Sequence, residues 1–410
     1  MFFQAREPWW THSTSVRRKK FLVRRSNQCV DELGNVGGLG RPEIGLRPET
    51  THFDALHGLR GIAAVLVMLG HFSELTARHL DLAPSGFLAV DLFFLLSGFV
   101  IAHAYDEKFR TGMSFWQFAE ARIIRLYPLY FAAIGVFMAG VGAVVATQGL
   151  GSYSRLDLLA SLGFSLLFLP TPPALSVGPD VLFPLNGPAW SLFYELAANA
   201  VFAALALKLA RRSLAAIFGL GFLALVLLAW QGFSLGGGAH WDGTIAAPAR
   251  ITFSFFLGVY LRRYATGESR DGNLYIPFLL ALCAGLMIFR PAENAQFYDL
   301  AMIVLVWPWL VLTASRLRLS GFWRAFALFS GNISYAIYAL HTPLIRIVNI
   351  LDESLTGTPW NQHGLPFVVG TSIFVIAVAA FAHFVYDTNV RTLLRHLLSL
   401  RRSREEVTQF

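Results

Sequence analysis

The chain alternates between long apolar runs and short polar connectors that carry most of its Lys and Arg. Runs of about 17 or more mainly apolar residues can cross a bilayer core about 30 Å thick as helices. The pattern predicts about ten such spans, at roughly 60–79, 87–104, 125–147, 188–207, 214–232, 247–263, 274–290, 297–315, 331–350 and 365–387. These runs are too long for the strands of a membrane barrel. The apolar stretch 156–169 is short of a full span. Were it to cross, Lys208, Arg211, Arg212 and the later clusters 262–263 and 316–324 would be exported. Were it to lie in the interface or re-enter, every basic cluster would fall on one side, as the positive-inside rule requires. The opposite loops (80–86, 149–188, 232–246, 290–296 and 351–364) are nearly free of Lys and Arg. The expected fold is therefore an all-α polytopic membrane protein of about ten transmembrane helices with both termini cytoplasmic, in which 156–169 does not cross.

Composition narrows the class. Of 410 residues, 55% are hydrophobic and only 14% charged, against about 25% charged in soluble domains. The net charge of +8 is spread in clusters between apolar runs, which speaks against a nucleic-acid partner. Cys29 and Cys283 stand far apart in different settings, so neither a disulfide framework nor a thiolate metal site is expected. Residues 1–50, with a basic run at 17–20 and Arg24–Arg25, hold no apolar core long enough for a signal peptide. They are expected to form a disordered basic tail, followed by a transmembrane domain at 51–390 and a basic cytoplasmic tail at 391–410.

Within the spans, a few polar residues stand out. Arg60 and His71 are eleven residues apart in the first run, so a helix would project both from one face, about 16 Å apart along its axis. His71 then lies near mid-membrane, where an ionisable group is costly unless it faces protein or a wet cavity. Asp91, in the second span, could orient an imidazole as the carboxylate of a hydrolytic triad does. Ser97 and Gly98 follow it, a pairing that usually serves close packing. Arg122 and Arg125 share a helix face at the cytoplasmic boundary, and paired guanidinium forks match phosphate oxygens. Pro128, about a turn later, marks a kink or a helix start. Glu195 enters from the outside below Trp190, and His341 reaches mid-depth from the inside. His383 and Asp387 close the last span.

A histidine and carboxylates at similar depth suit removal of a proton from a hydroxyl. An arginine pair at the cytoplasmic mouth suits a polyphosphate-bearing donor such as acyl-CoA. Together they suggest acyl transfer across the bilayer, with His71 either taking the proton or carrying the acyl group. Residues 53–390 resemble the membrane-bound acyltransferase-3 family, whose members O-acylate sugars, polysaccharides, lipids and small molecules. The matching motifs are LHGLRGIAAVLVMLGH, AVDLFFLLSGFVI, ARIIRLYPLY, GPAWSLFYE and ISYAIYALHTPL, in order. The resemblance implies His71 and Arg60 as catalytic, Glu195 as an active-site carboxylate, Arg122 and Arg125 as donor-binding, and acetyl-CoA as the usual donor. With these we group Asp91 as catalytic, Ser97 and Tyr127 beside the donor, and Trp190, Tyr194 and His341 beside the acceptor. His57 stands where the family usually has Asp, and Tyr386-Asp387-Thr388-Asn389 replace its usual closing Glu-x-Pro. No outer hydrolase-like domain is seen, so an acceptor would be handled by the membrane core or by a partner.

The expectation is thus a bacterial inner-membrane O-acyltransferase. It would move an acyl group, acetyl first, from cytoplasmic acyl-CoA to a saccharide or lipid-linked glycan, with membrane lipid around it and no metal. The alternative is a proton-coupled transporter using the same buried His and Glu, a class that often shows two-fold internal repetition; no such symmetry is seen.

Overall fold

The computed structural model describes residues 53–75, 80–148, 154–265, 267–358 and 362–407. The N-terminal tail and Cys29 lie outside them. The described chain is almost wholly helical: α1 (Asp54–Leu75), α2 (Ala89–Arg110), α3 (Phe115–Gln148), α4 (Arg155–Leu166), α5 (Ala189–Leu205), α6 (Arg211–Trp230), α7 (Ala246–Tyr264), α8 (Ile276–Ile288), α9 (Ala295–Ala301), α10 (Trp307–Ser315), α11 (Gly321–Thr356), α12 (Leu365–Phe381) and α13 (Thr388–Val407). Two residue pairs, Arg270–Asp271 and Leu317–Arg318, form a minimal parallel ladder.

Each of the ten expected runs is mainly helical over its described residues. Among the described residues, six helical segments are long and apolar enough to cross a membrane: 54–73, 86–110, 115–145, 211–230, 295–315 and 365–400. Helices α5 and α8 are apolar but shorter. The stretch 156–169 forms the 12-residue α4, about 18 Å long and too short to span. Its end is held to α3, because Tyr127 donates to the carbonyl of Leu166 (2.7 Å) and Tyr130 to that of Ser165 (2.8 Å). Phe168 then turns the chain in the left-handed region (φ 58°) with its ring against Tyr130. Pro128 neither starts nor ends a helix; it sits inside α3. Between α9 and α10 the helix widens into a π-turn at Met302–Val306 just before Pro308, which accommodates the missing N–H and the bulk of the ring. A second π-turn, Ala382–Asp387, joins α12 to α13. The helix thus continues well into the segment expected to be a tail.

Two parallel helix couples order the rest. Helices α1 and α11 run together at a constant offset: Arg324 pairs with Asp54 at a separation of 270, and His71 meets His341 at the same spacing. Glycines let their backbones touch. A Cβ on Gly61 would fall 2.5 Å from Ser330 Cβ, and one on Gly331 would fall 2.5 Å from His57 Cβ. Helices α2 and α7 form the second couple. There a Cβ on Gly98 would fall 1.9 Å from the carbonyl oxygen of Phe255, and one on Gly258 2.1 Å from that of Leu95. Small residues that admit such approach take the place of a hydrophobic driving force between helices in lipid. Helix α6 packs on α7, while α3 and α12 pack on α11. Phe53, just before α1, touches His103 near the end of α2 and Arg262 near the end of α7. The start of α1 and the ends of α2 and α7 therefore share one side of the molecule, here termed the near side. On the far side, the loops before α5 and α7 are joined by an antiparallel bridge between Val181 and His240.

Candidate active site

The α1–α11 couple carries polar groups at both ends. Near its start, Arg60 Nη2 donates to the carbonyl of Gly331 at 2.5 Å and lies 3.4 Å from His57 Nδ1. Three turns further on, the rings of His71 and His341 stand 5.1 Å apart at 35°. His341 is fully buried, and its Nδ1 lies 3.0 Å from the carbonyl of Ile337. A carbonyl only accepts, so Nδ1 carries the proton and Nε2 presents a lone pair. That Nε2 is buried and has no hydrogen-bond partner among the described residues. A neutral imidazole held in this tautomer offers Nε2 as a hydrogen-bond acceptor.

Tyr338, one turn before His341, links this pair to α5. Its hydroxyl lies 2.6 Å from Ser191 Oγ and donates to the carbonyl of Pro188 at 3.1 Å, while Phe93 packs edge-on against its ring. Four residues along α5, Glu195 Oε1 accepts from Ser97 Oγ (2.5 Å) and from Arg122 Nη2 (3.0 Å). Glu195 is thus held by a hydroxyl and a guanidinium. Ser97 serves more than packing, since it joins α2 to this carboxylate.

A cluster of arginines gathers around Glu195. Arg60 lies in the field of Arg125, Glu195 and Arg391; Arg125 lies in that of Arg122, Asp387 and Glu195 and sits over the Tyr335 ring. Asp387 is paired with Arg391 and lies 3.4 Å from His383 Nδ1. Four guanidinium groups thus meet two carboxylates. The buried Nε atoms of Arg60, Arg122 and Arg391 have no hydrogen-bond partner among the described residues. Buried donors that meet no acceptor are costly, and a polyanion would supply what they lack. These side chains could therefore hold a polyanion.

Other expected residues are placed differently. Asp91 does not orient a histidine. Its carboxylate is gripped by Arg250, with Nε donating to Oδ1 at 3.0 Å and Nη2 to Oδ2 at 2.6 Å, and both side chains are fully buried. The close, parallel contact of α2 with α7 sets these two charges opposite each other. Arg250 also donates to the carbonyls of Gly237 and Phe87 and lies 5.4 Å from the Trp190 ring. Trp190 is buried against Phe94 and Tyr194 and is no interfacial belt residue; a Cβ on Gly238 would strike its ring. Tyr127 uses its hydroxyl on α4, as described above, and stacks on Phe131.

Arg250 and Arg391 escaped the sequence reading, though each left a trace. Arg250 is a lone cation at the far end of an apolar run, where the positive-inside rule leaves few. Arg391 was hidden among the other basic residues that follow the last span. Among the described residues, no group of three or more His, Cys, Asp or Glu side chains could hold a metal ion.

Comparisons with known proteins give the family. A family profile described as an acyltransferase domain matches residues 53–384. The chain is 42% identical over 160 residues to protein 2 in the picA locus of Rhizobium radiobacter, covering 37% of this chain and 81% of that protein. It is 29% identical over 295 residues to the exopolysaccharide production protein ExoZ of Rhizobium meliloti (strain 1021), covering 68% and 82%. Over 159 residues it is 29% identical to the acyltransferase MdmB of Streptomyces mycarofaciens, covering 37% and 38%. No solved structure matches the chain. With the family profile spanning most of its length and its apolar helices able to cross a bilayer, the protein is a multi-pass membrane acyltransferase of the acyltransferase-3 family.

Proposed function

We propose that this protein moves an acyl group, acetyl in the first instance, from a cytoplasmic acyl-CoA to a hydroxyl of a saccharide or lipid-linked glycan presented on the outer side of a bacterial inner membrane. One observation carries the reading. The α1–α11 couple holds the His71–His341 pair towards one end, and the cluster of Arg60, Arg122, Arg125 and Arg391 lies towards the other. The near side is then cytoplasmic, the helices cross about ten times, α4 stays on the outer face, and both termini are cytoplasmic. Such a topology keeps the basic loops inside.

In this scheme the arginines hold the donor's phosphates and the thioester arm extends towards the histidines. An imidazole takes the proton of the acceptor hydroxyl. The alkoxide oxygen attacks the thioester carbonyl, the C–S bond breaks, and the thiolate leaves as CoA-SH once protonated. Glu195 holds Arg122 in place through their 3.0 Å ion pair. Trp190 and Tyr194 line the acceptor side. Similarity to an exopolysaccharide production protein supports a saccharide as acceptor.

His71→Ala should abolish acylation of envelope glycans, read by mass spectrometry, with protein level and membrane insertion unchanged. Full activity in that variant would remove the basis of the reading. An acylated imidazole trapped by rapid quench would assign His71 as carrier, and its absence during turnover would assign it as base. The transporter alternative is separated by acetyl-CoA itself, which should raise the melting temperature of the detergent-solubilised protein as a specific ligand does.

A further inference from the structure

A cleft of about 520 Å³ opens on the near side, outside the arginine cluster described above. Its walls are the end of α2 (His103, Asp106, Arg110), the end of α7 (Arg262, Arg263, Tyr264) and the chain after α5. The volume suits a small ligand or a headgroup.

The two adjacent arginines differ in what they meet. Arg263 is fully engaged: Nε and Nη2 fork onto Asp106 at 2.7 and 2.6 Å, and Nη1 donates to the carbonyl of Leu209 at 2.7 Å. It closes one wall and brings no net charge. Arg262 instead directs Nε and Nη2 at a single acceptor, His103 Nδ1, at 3.2 and 2.9 Å. A guanidinium only donates, so this imidazole nitrogen accepts and the ring is neutral. Arg262 therefore keeps its full positive charge. Arg110 and Glu107 cancel each other in an exposed pair.

The ends of three helices work against an anion here, since each C-terminus carries about half a negative charge. The neighbouring sequence supplies positive charge against this, at Lys108, Lys208, Arg211 and Arg212. Tyr264 adds a half-exposed ring at the rim, with the Arg211 guanidinium 5.8 Å from it.

We propose that this cleft binds a phosphate group, with Arg262 as the residue that grips it. Two sources share that chemistry: the headgroup of an anionic phospholipid and the 3′-phosphate of the acyl donor's nucleotide. Only the second depends on the acyl-transfer reading. Basic pockets between transmembrane helices are known to take lipid phosphates.

The test uses the purified full chain and reads binding, not turnover, so failure of the acyl-transfer reading would leave it intact. The variants are Arg262→Gln and Leu207→Glu. The latter puts a carboxylate on an exposed lip of the cleft, where no packing is disturbed. The probes are coenzyme A, 3′-dephospho-coenzyme A, and phosphatidylglycerol against phosphatidylcholine, followed by thermal shift and native mass spectrometry. A loss of at least fivefold in affinity for coenzyme A in both variants, with 3′-dephospho-coenzyme A unaffected, would assign the donor's phosphate. A loss of phosphatidylglycerol adducts in both, with coenzyme A binding unchanged, would assign lipid. Wild-type binding of all four probes in the Leu207→Glu protein, which should fold whatever Arg262 does, would overturn the proposal.

Discussion

At the scale of single residues, the fully buried Asp91–Arg250 pair is the sharpest case of a side chain whose partner decides its meaning. Removing one member of a buried ion pair leaves an uncompensated charge and typically costs about 3–5 kcal/mol, whereas replacing both by apolar groups can be nearly neutral. Asp91→Leu alone should therefore lower the melting temperature in detergent sharply, and Asp91→Leu with Arg250→Met should recover most of the loss. His341 offers a different contrast. Its fixed tautomer leaves Nε2 as an acceptor, so His341→Phe should lower kcat by about 10²-fold or more, in the range of general-base effects. The KM for acyl-CoA should stay within a factor of about two of the parent value, because the arginine cluster is untouched. Such residues were visible in the sequence as polar intrusions into apolar runs. Their partners were not. Asp91 meets a residue 159 positions away, and only packing of two whole helices brings it there.

At the scale of helices, the glycine contacts set what each element tolerates. A methyl on Gly98 or Gly258 would overlap a backbone carbonyl of the facing helix, which cannot swing aside as a side chain can. Overpacking of this kind costs about 1–3 kcal/mol or more. Gly98→Ala and Gly258→Ala should each lower thermal stability, while Gly142→Ala, with nothing within 4 Å of the new Cβ, should leave it unchanged or raise it by up to about 1 kcal/mol through helix propensity. The helical character of the apolar runs was legible because an apolar run is a local signal. The short run 156–169 forms a helix of only 12 residues, as its length in the sequence suggested. That α11 begins ten residues before its apolar run, at Gly321, was not legible, since polar flanks extend a helix without changing the hydropathy. Nor were the parallel couples, which rest on pairings across 159 and 270 positions.

At the scale of the whole molecule, the proposed topology predicts that a reporter inserted at Gly236 and one inserted at Glu268 report opposite sides of the membrane. The same side for both would break the ten-span order. Acetyl-CoA at about 100 times its Kd should stabilise the protein by about 2.7 kcal/mol, and Arg122→Ala should remove most of that gain. The two glycine-sealed couples also restrict how the enzyme could breathe. Backbones in direct contact along α1 and α11, and again along α2 and α7, leave no slack for either couple to part. Whatever admission of a bulky sugar or a long thioester demands must come from one rigid block rocking against the other. The strain of that rocking would fall where the two blocks meet, on Phe93 against Tyr338 and on Phe53 against His103 and Arg262.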